Sequence, residues 1–172
     1  LIKTARRWAE HWTNRCFIEQ TWDLLLPQGF PSSNYYLLNA YEIRLPRTPL
    51  KVTGGITSVK YLDTAGAQQT LVAGTDYVVA ARGETPLILP AYSKSWPSTR
   101  DWIDSSGNYP VEVRFTCGYG TDGSAVPENY RHAMLLLIQH WYENREEVSE
   151  VALQQIPAGA AALLSQEPYF HW

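Results

Sequence analysis

Hydrophobic residues recur along this chain with two different periods, and the switch between them divides it. Between Val126 and Val148, Tyr130, Ala133, Met134, Leu137, Ile138 and Trp141 follow at three- and four-residue spacing, which predicts a long helix. Leu135 and Tyr142 flank that stripe, and Leu136 projects onto the opposite, polar side. The apolar arc covers roughly 200°, against the roughly 100° with which a surface helix covers a core. Such a helix is either the buried centre of its own domain or packs against a second copy of the chain. At the start, Leu1, Ala5, Trp8, Trp12 and Cys16 keep the same spacing and predict an amphipathic helix over 1–15. Its two tryptophans are expected in the core, with Lys3, Arg6, Arg7, Glu10 and Arg15 on the other faces. The pattern is already running at Leu1, with no initiating methionine, so a preceding segment is expected.

After Phe17 the period becomes two: Ile18, Gln20, Trp22, Leu24 and Leu26 share one side of a strand that stops at Pro27. A polar, tyrosine-bearing loop follows. Short strands are then predicted at Glu42–Leu45, Thr57–Leu62, Gln69–Val72, Tyr77–Ala81, Leu87–Leu89 and Val111–Cys117. Asp63-Thr64-Ala65-Gly66 has hairpin-turn chemistry, and Arg82-Gly83-Glu84 is a second candidate turn. Strands this short, joined by turns, form antiparallel pairs and not βαβ crossovers. The Ser-, Pro- and Asp-rich stretch Tyr92–Pro110 is expected to be an irregular loop pinned by Trp96 and Trp102. Pro127 and Glu128 suit the first turn of the long helix. Pro157 opens a short last helix bearing Ala160, Leu163 and Leu164 before Pro168.

The predicted architecture is therefore α+β: helices from both ends of the chain form a small helical core, and an antiparallel β-sheet subdomain is inserted between them. The layout is one domain over 1–172, with a helical segment 1–17, a β-rich insertion 18–118, a long central helix 126–148 and a C-terminal tail 157–172. At 172 residues a full core can be built.

Composition narrows the function. Charged residues make up 18%, aromatics 13%, and the net charge is −3, which excludes a disordered chain and gives no general pull toward nucleic acid. No run approaches the roughly 18 apolar residues of a membrane span. Cys16 and Cys117 read as two reduced, buried thiols.

The motifs that suggest chemistry all fail on context. Gly118-Tyr119-Gly120-Thr121-Asp122-Gly123 matches G-x-G-x-x-G, but the helix starts only at Pro127 and no second parallel strand follows. His132, His140 and Glu143 lie along one helix without the further convergent ligands a metal needs. Asp101 and Asp104 sit in an irregular loop, where acid–base catalysis lacks the rigid support it requires. Arg6, Arg7 and Arg15 around Trp8 and Trp12 have the ingredients of a nucleic-acid surface, yet the tryptophans share the core stripe. No catalytic, cofactor-binding or metal-ligating residue is assigned, and no cofactor is expected. Trp96, Trp102, Tyr92 and Tyr109 leave one alternative, a carbohydrate- or surface-binding β-rich module, against which the terminal helices argue.

The run Leu136-Leu137-Ile138-Gln139-His140-Trp141-Tyr142-Glu143-Asn144-Arg145-Glu146 resembles the central helix of head–tail connector proteins of tailed bacteriophages and related gene transfer agents. In order along the chain, Thr21-Trp22, Ile43-Arg44-Leu45-Pro46-Arg47, Pro90-Ala91-Tyr92, Gly118-Tyr119-Gly120, Val126-Pro127, Leu163-Leu164 and Pro168-Tyr169 agree. The resemblance implies a non-enzymatic virion protein at the head–tail junction, assembled in the bacterial host cytoplasm. Its implied partners are further copies of itself in a dodecameric ring, the portal protein, and a tail-side connector, stopper or tail terminator. Genomic DNA would pass through the lumen without sequence-specific binding, and no membrane is involved. Within that frame Leu136, Trp141, Tyr142 and Arg145 are expected at the subunit interface. Leu163, Leu164, Tyr169, Phe170 and Trp172 are expected to dock on the portal, the alternative being that they fold back on the subunit's own core.

Overall fold

The computed structural model describes residues 1–31, 41–81, 85–100, 102–143 and 157–165. The turn at 82–84, Asp101, Arg145, Tyr169, Phe170 and Trp172 lie outside the described residues. The fold is α+β. Among the described residues, three α-helices come from the two ends of the chain and seven strands from its middle: α1 (Ile2–Thr13), β1 (Gln20–Leu26), β2 (Ile43–Arg44), β3 (Ile56–Leu62), β4 (Gln68–Leu71), β5 (Tyr77–Ala80), β6 (Leu87–Pro90), β7 (Val111–Cys117), α2 (Glu128–Glu143) and α3 (Ala158–Leu164). They group into two compact units, one of Leu1–Ile18 with Tyr119–Trp172, the other of Glu19–Gly118.

In the helical unit, α1 ends because Asn14 adopts the left-handed conformation, φ 55°, which lets its amide reach back to Glu10 and His11. The Glu10 carboxylate then accepts the Phe17 amide at 2.9 Å and fixes the path out of the helix. The inward arc of α1 is Ala5, Ala9 and Glu10. This corrects the expected core stripe: Trp8 is only partly buried, and Trp12, stacked on it at 5.3 Å, is 50% exposed. The reason is steric, since interaxial distance depends on side-chain size and alanine lets helices approach closely. Ala9 accordingly shares its cluster with Ala133 of α2, around Phe17, Val126, Tyr130 and Leu164. Phe17 stacks on Tyr130 at 5.0 Å, and Tyr119 tilts against both at 6.4 and 6.1 Å. Pro127 stands just before α2, its carbonyl accepting the Arg131 amide.

In the β unit, one antiparallel sheet runs in the order β1-β7-β3-β4 and a second in the order β2-β6-β5. Strand β7 shows the alternation most cleanly: Val111, Val113, Phe115 and Cys117 are buried, and Glu112, Arg114 and Thr116 are not. Register places Leu26, Leu24 and Trp22 of β1 opposite Val111, Val113 and Phe115, the face the period-two pattern assigned them. As an edge strand β1 buries them incompletely, and Arg47 covers the Trp22 ring at 5.2 Å from its centroid. The β3–β4 hairpin turns where Asp63 was expected to turn it. One carboxylate oxygen accepts the amides of Ala65 and Ala67, and Gly66 supplies φ 87°. Asp104 repeats this device in the long loop, accepting the amides of Ser106 and Asn108. Trp96 does pin that loop, donating Nε1–H to the Tyr41 carbonyl at 2.7 Å and stacking on Phe30 at 4.7 Å. Trp102 does not pin it; its ring is 79% exposed.

Candidate assembly surfaces

The segments with apparent chemistry serve structure. In the glycine-rich run, the Tyr119 ring belongs to the aromatic cluster of the helical unit. Burial first, then the neighbouring Tyr130, pushes the Tyr119 phenol up to about 12. Asp122 caps the single 3-10 turn Gly123–Ala125, accepting the amide and hydroxyl of Ser124. Those bonds, the hydroxyl's first, hold its carboxyl below the usual carboxylate range. A carboxylate thus already occupies the amide that an incoming phosphate would need. Glu143 accepts from Gln139 at 2.9 Å, and among the described residues no three metal-ligating side chains converge. Asp104 is a turn-former, its carboxyl held low by Asn108 first.

Helix α2 is positioned by Tyr130, Ala133 and Leu137, which face the core. Its outward side carries Leu135 at 62% exposure and Tyr142 at 59%, with Arg131 and Ile138 half-buried beside them. The row Arg131, Leu135, Ile138, Tyr142 advances by four, three and four residues, so it runs straight along the helix. Leu136 lies elsewhere than its projection suggested. It is half-buried, and a Cβ on Gly159 of α3 would meet its Cδ1 at 3.7 Å. A wheel drawn for one helix omits the third helix, which here covers the polar-side leucine and leaves Leu135 outside. Trp141 is half-buried. The Arg131–Tyr142 row was legible in the spacing but was overshadowed by the stronger core stripe.

Helix α3 places Leu164 in the core of its own unit, where the alternative reading put it, and Leu163 packs against that core. Asn129 of α2 reaches the Leu163 carbonyl at 3.5 Å. Between the two helices runs a wide, shallow groove of about 460 Å³ lined by Glu128, Asn129, Arg131, His132, Leu135 and Leu163. The solvent side of α1 bears Lys3, Arg7 and His11.

The β unit presents a different exterior. On the outer face of the four-stranded sheet, Thr21 meets Thr116 at 3.2 Å and Asp23 grips Arg114 through two bonds of 2.7 and 2.8 Å. The Arg114 guanidinium holds the Asp23 carboxyl low. Lys60 and Glu112 pair in register beside them, so the charges on this face balance. Of the four aromatics that suggested a sugar platform, Trp96 is engaged with Phe30 and Tyr41, whereas Tyr92 and Trp102 are exposed. No helix among the described residues is long and apolar enough to cross a membrane.

No protein-family model matches the sequence, and no match is found among curated proteins. The fold, however, recurs in gene transfer agent (GTA) particles. A chain from the neck of an empty GTA particle, computed with C6 symmetry, superposes with a TM-score of 0.66 at 24% identity, covering 95% of this chain and 73% of that one. A chain from the virion of a native GTA particle gives 0.65 at 23% identity, covering 95% and 72%. A chain from the neck of the native particle, computed with C12 symmetry, gives 0.64 at 24% identity, covering 95% and 76%. The chain therefore has the fold found in the neck of GTA particles, over almost its full length.

Proposed function

We propose that this protein is a structural, non-enzymatic component of the neck of a phage-like particle. It forms a ring as a head–tail adaptor, binds the portal, helps close the DNA-filled head and provides the platform for the tail. The observation that carries the reading is the shared fold with chains of symmetric GTA necks across 95% of the sequence. The outward row of α2 supports it, because a ring subunit needs association surfaces that its own core leaves uncovered. Leu135 and Tyr142 lead the α2 side of the subunit interface, with Trp141 and Leu136 behind them; Arg145 belongs to the same proposal. The segment beyond α3, with Tyr169, Phe170 and Trp172, docks on the portal, Leu163 lying at its base. The balanced outer face of the β unit fits a neck through which DNA passes without being held, since clustered cations would retain phosphates.

Electron microscopy of the purified protein, alone and mixed with portal protein, tests the reading. Rings that co-migrate with the portal are expected. A protein that stays monomeric at every concentration, with portal present as well as absent, would overturn it.

A further inference from the structure

We propose that successive copies of this chain also join through their β units, the open edge of β1 in one copy pairing with the open edge of β5 in the next. This rests on the ring reading and adds a second element to its interface, backbone hydrogen bonds between strands of neighbouring copies.

The two sheets have four edges, β1, β4, β2 and β5. An open strand edge carries a row of backbone donors and acceptors that another strand matches one for one. Proteins that keep such an edge unpaired shorten it, bulge it or charge it. Two of the four edges here are blunted. Strand β2 has two residues, and its Arg44 is held by Glu42. Strand β4 shows water the polar side chains of Gln68, Gln69 and Thr70. The other two edges lack such guards. Strand β1 pairs with β7 over seven consecutive residues without a register shift, and its one charge, Asp23, is neutralised by Arg114 of the same sheet. Strand β5 reads Tyr77-Val78-Val79-Ala80 and bears no charge. Among the described residues, no backbone group bonds to the outer edge of 21–26 or of 78–80.

Exposure selects a strand as the cover. Trp22 and Leu25 point to opposite faces of their sheet, and each is 39% exposed. Val78 and Val79 are consecutive, so they too point to opposite faces, at 42% and 38%. A helix or loop laid on one face would cover one residue of each pair. A strand added alongside covers both. Two β1 edges or two β5 edges could also meet, but a like-with-like contact has two-fold symmetry and taken alone stops at a dimer. A ring needs unlike surfaces joined head to tail, and β1 with β5 is the unlike pair of unguarded apolar edges among the described strands.

Charge complementation in the full chain tests this. Leu25→Glu sets a carboxylate against valine and should abolish rings, read by size exclusion with light scattering. At least one of Val78→Lys and Val79→Lys should abolish them as well, since lysine guards an open edge. All three sites are exposed, so melting temperatures should hold. An equimolar mixture of Leu25→Glu with the blocking lysine variant should restore rings in which the two chains alternate. Leu25→Asp replaces Leu25→Glu if circular dichroism shows that variant misfolded. Normal rings from Leu25→Glu, normal rings from both lysine variants, or blocked rings that no mixture restores overturn the inference and leave the ring reading standing. A parent chain that forms no rings removes both.

Discussion

The two units of this protein handle apolar surface in opposite ways. In the β unit the exposed large side chains are scattered over strands and loops: Trp22, Leu25, Tyr41, Val52, Val72, Val78, Val79, Tyr92, Trp102 and Ile103. Single exposed apolar residues of that kind are ordinary away from an open strand edge. The outside of its four-stranded sheet carries threonines and paired charges, with Leu25 exposed among them. In the helical unit Leu1 and Ile2 are exposed at the start of α1, and two further sets line up, Trp12 beside half-buried Trp8 on α1 and Leu135 with Tyr142 on α2. Alignment is what marks a surface for association, because a row can be covered at once by another element. Under the proposed ring, the aligned rows make the helical unit the one expected to associate through side-chain faces.

Breaking the two cores should have the largest effect. Phe17→Ala removes a ring stacked on Tyr130 in the helical unit, and Phe115→Ala removes a fully buried ring in the β unit. Each should cost about 3–5 kcal/mol, measured by denaturant unfolding. Hydrogen exchange should show the loss of protection confined to the unit that carries the substitution, which would sharpen the division between them. A uniform loss in both variants would erase it.

Neighbouring leucines on α2 separate folding from assembly. Leu137→Asp buries a carboxylate in the core, which costs several kcal/mol, and should give an unfolded helical unit. Leu135→Asp changes an exposed residue, so the melting temperature should hold within about 0.5 kcal/mol of stability. Its ring formation, read by size exclusion with light scattering, should be lost. Normal rings from Leu135→Asp would show that this row faces solvent in the assembly. A third test removes Pro168–Trp172, which should leave melting unchanged and abolish portal capture in a pull-down. Retained capture would exclude docking by that segment.

Much of the β unit was legible because its signals are local. Alternation in Val111–Cys117 and the Asp63–Gly66 turn each depend on a few consecutive residues, and the strand limits fell within a residue or two. The helices were legible as elements, but the inward face of α1 was not. Which arc of that helix is buried depends on Ala9 meeting the Ala133 cluster, more than a hundred positions away, and no periodicity carries that information. The same holds for Leu136, whose cover is α3 and not any residue near it in sequence. The candidate surface was half legible for this reason: the excess of apolar residues on α2 was visible, and the identity of the exposed leucine required the third helix.

The smallest expected effect is also the one most specific to the helical unit. Tyr119 has its phenol pushed up to about 12 by burial against Tyr130, above the ordinary value near 10 that it regains on unfolding. Between these values the native state keeps a proton that the unfolded chain has released. Stability from this group is therefore fully present below pH 10 and falls as pH rises from 10 through 12. The protein should lose stability over that window in excess of the Tyr119→Phe variant, which has no phenol to ionise. At pH 7 the variant should melt close to the parent, since the phenol's bond with Arg15 is long at 3.5 Å. Melting temperatures measured from pH 8 to 12 check this, and parallel curves for the two proteins would show that the cluster opens to water before Tyr119 ionises. In the β unit Tyr77 is also raised by burial, so the subtraction of Tyr119→Phe, and not the raw alkaline curve, is what assigns the effect to the helices.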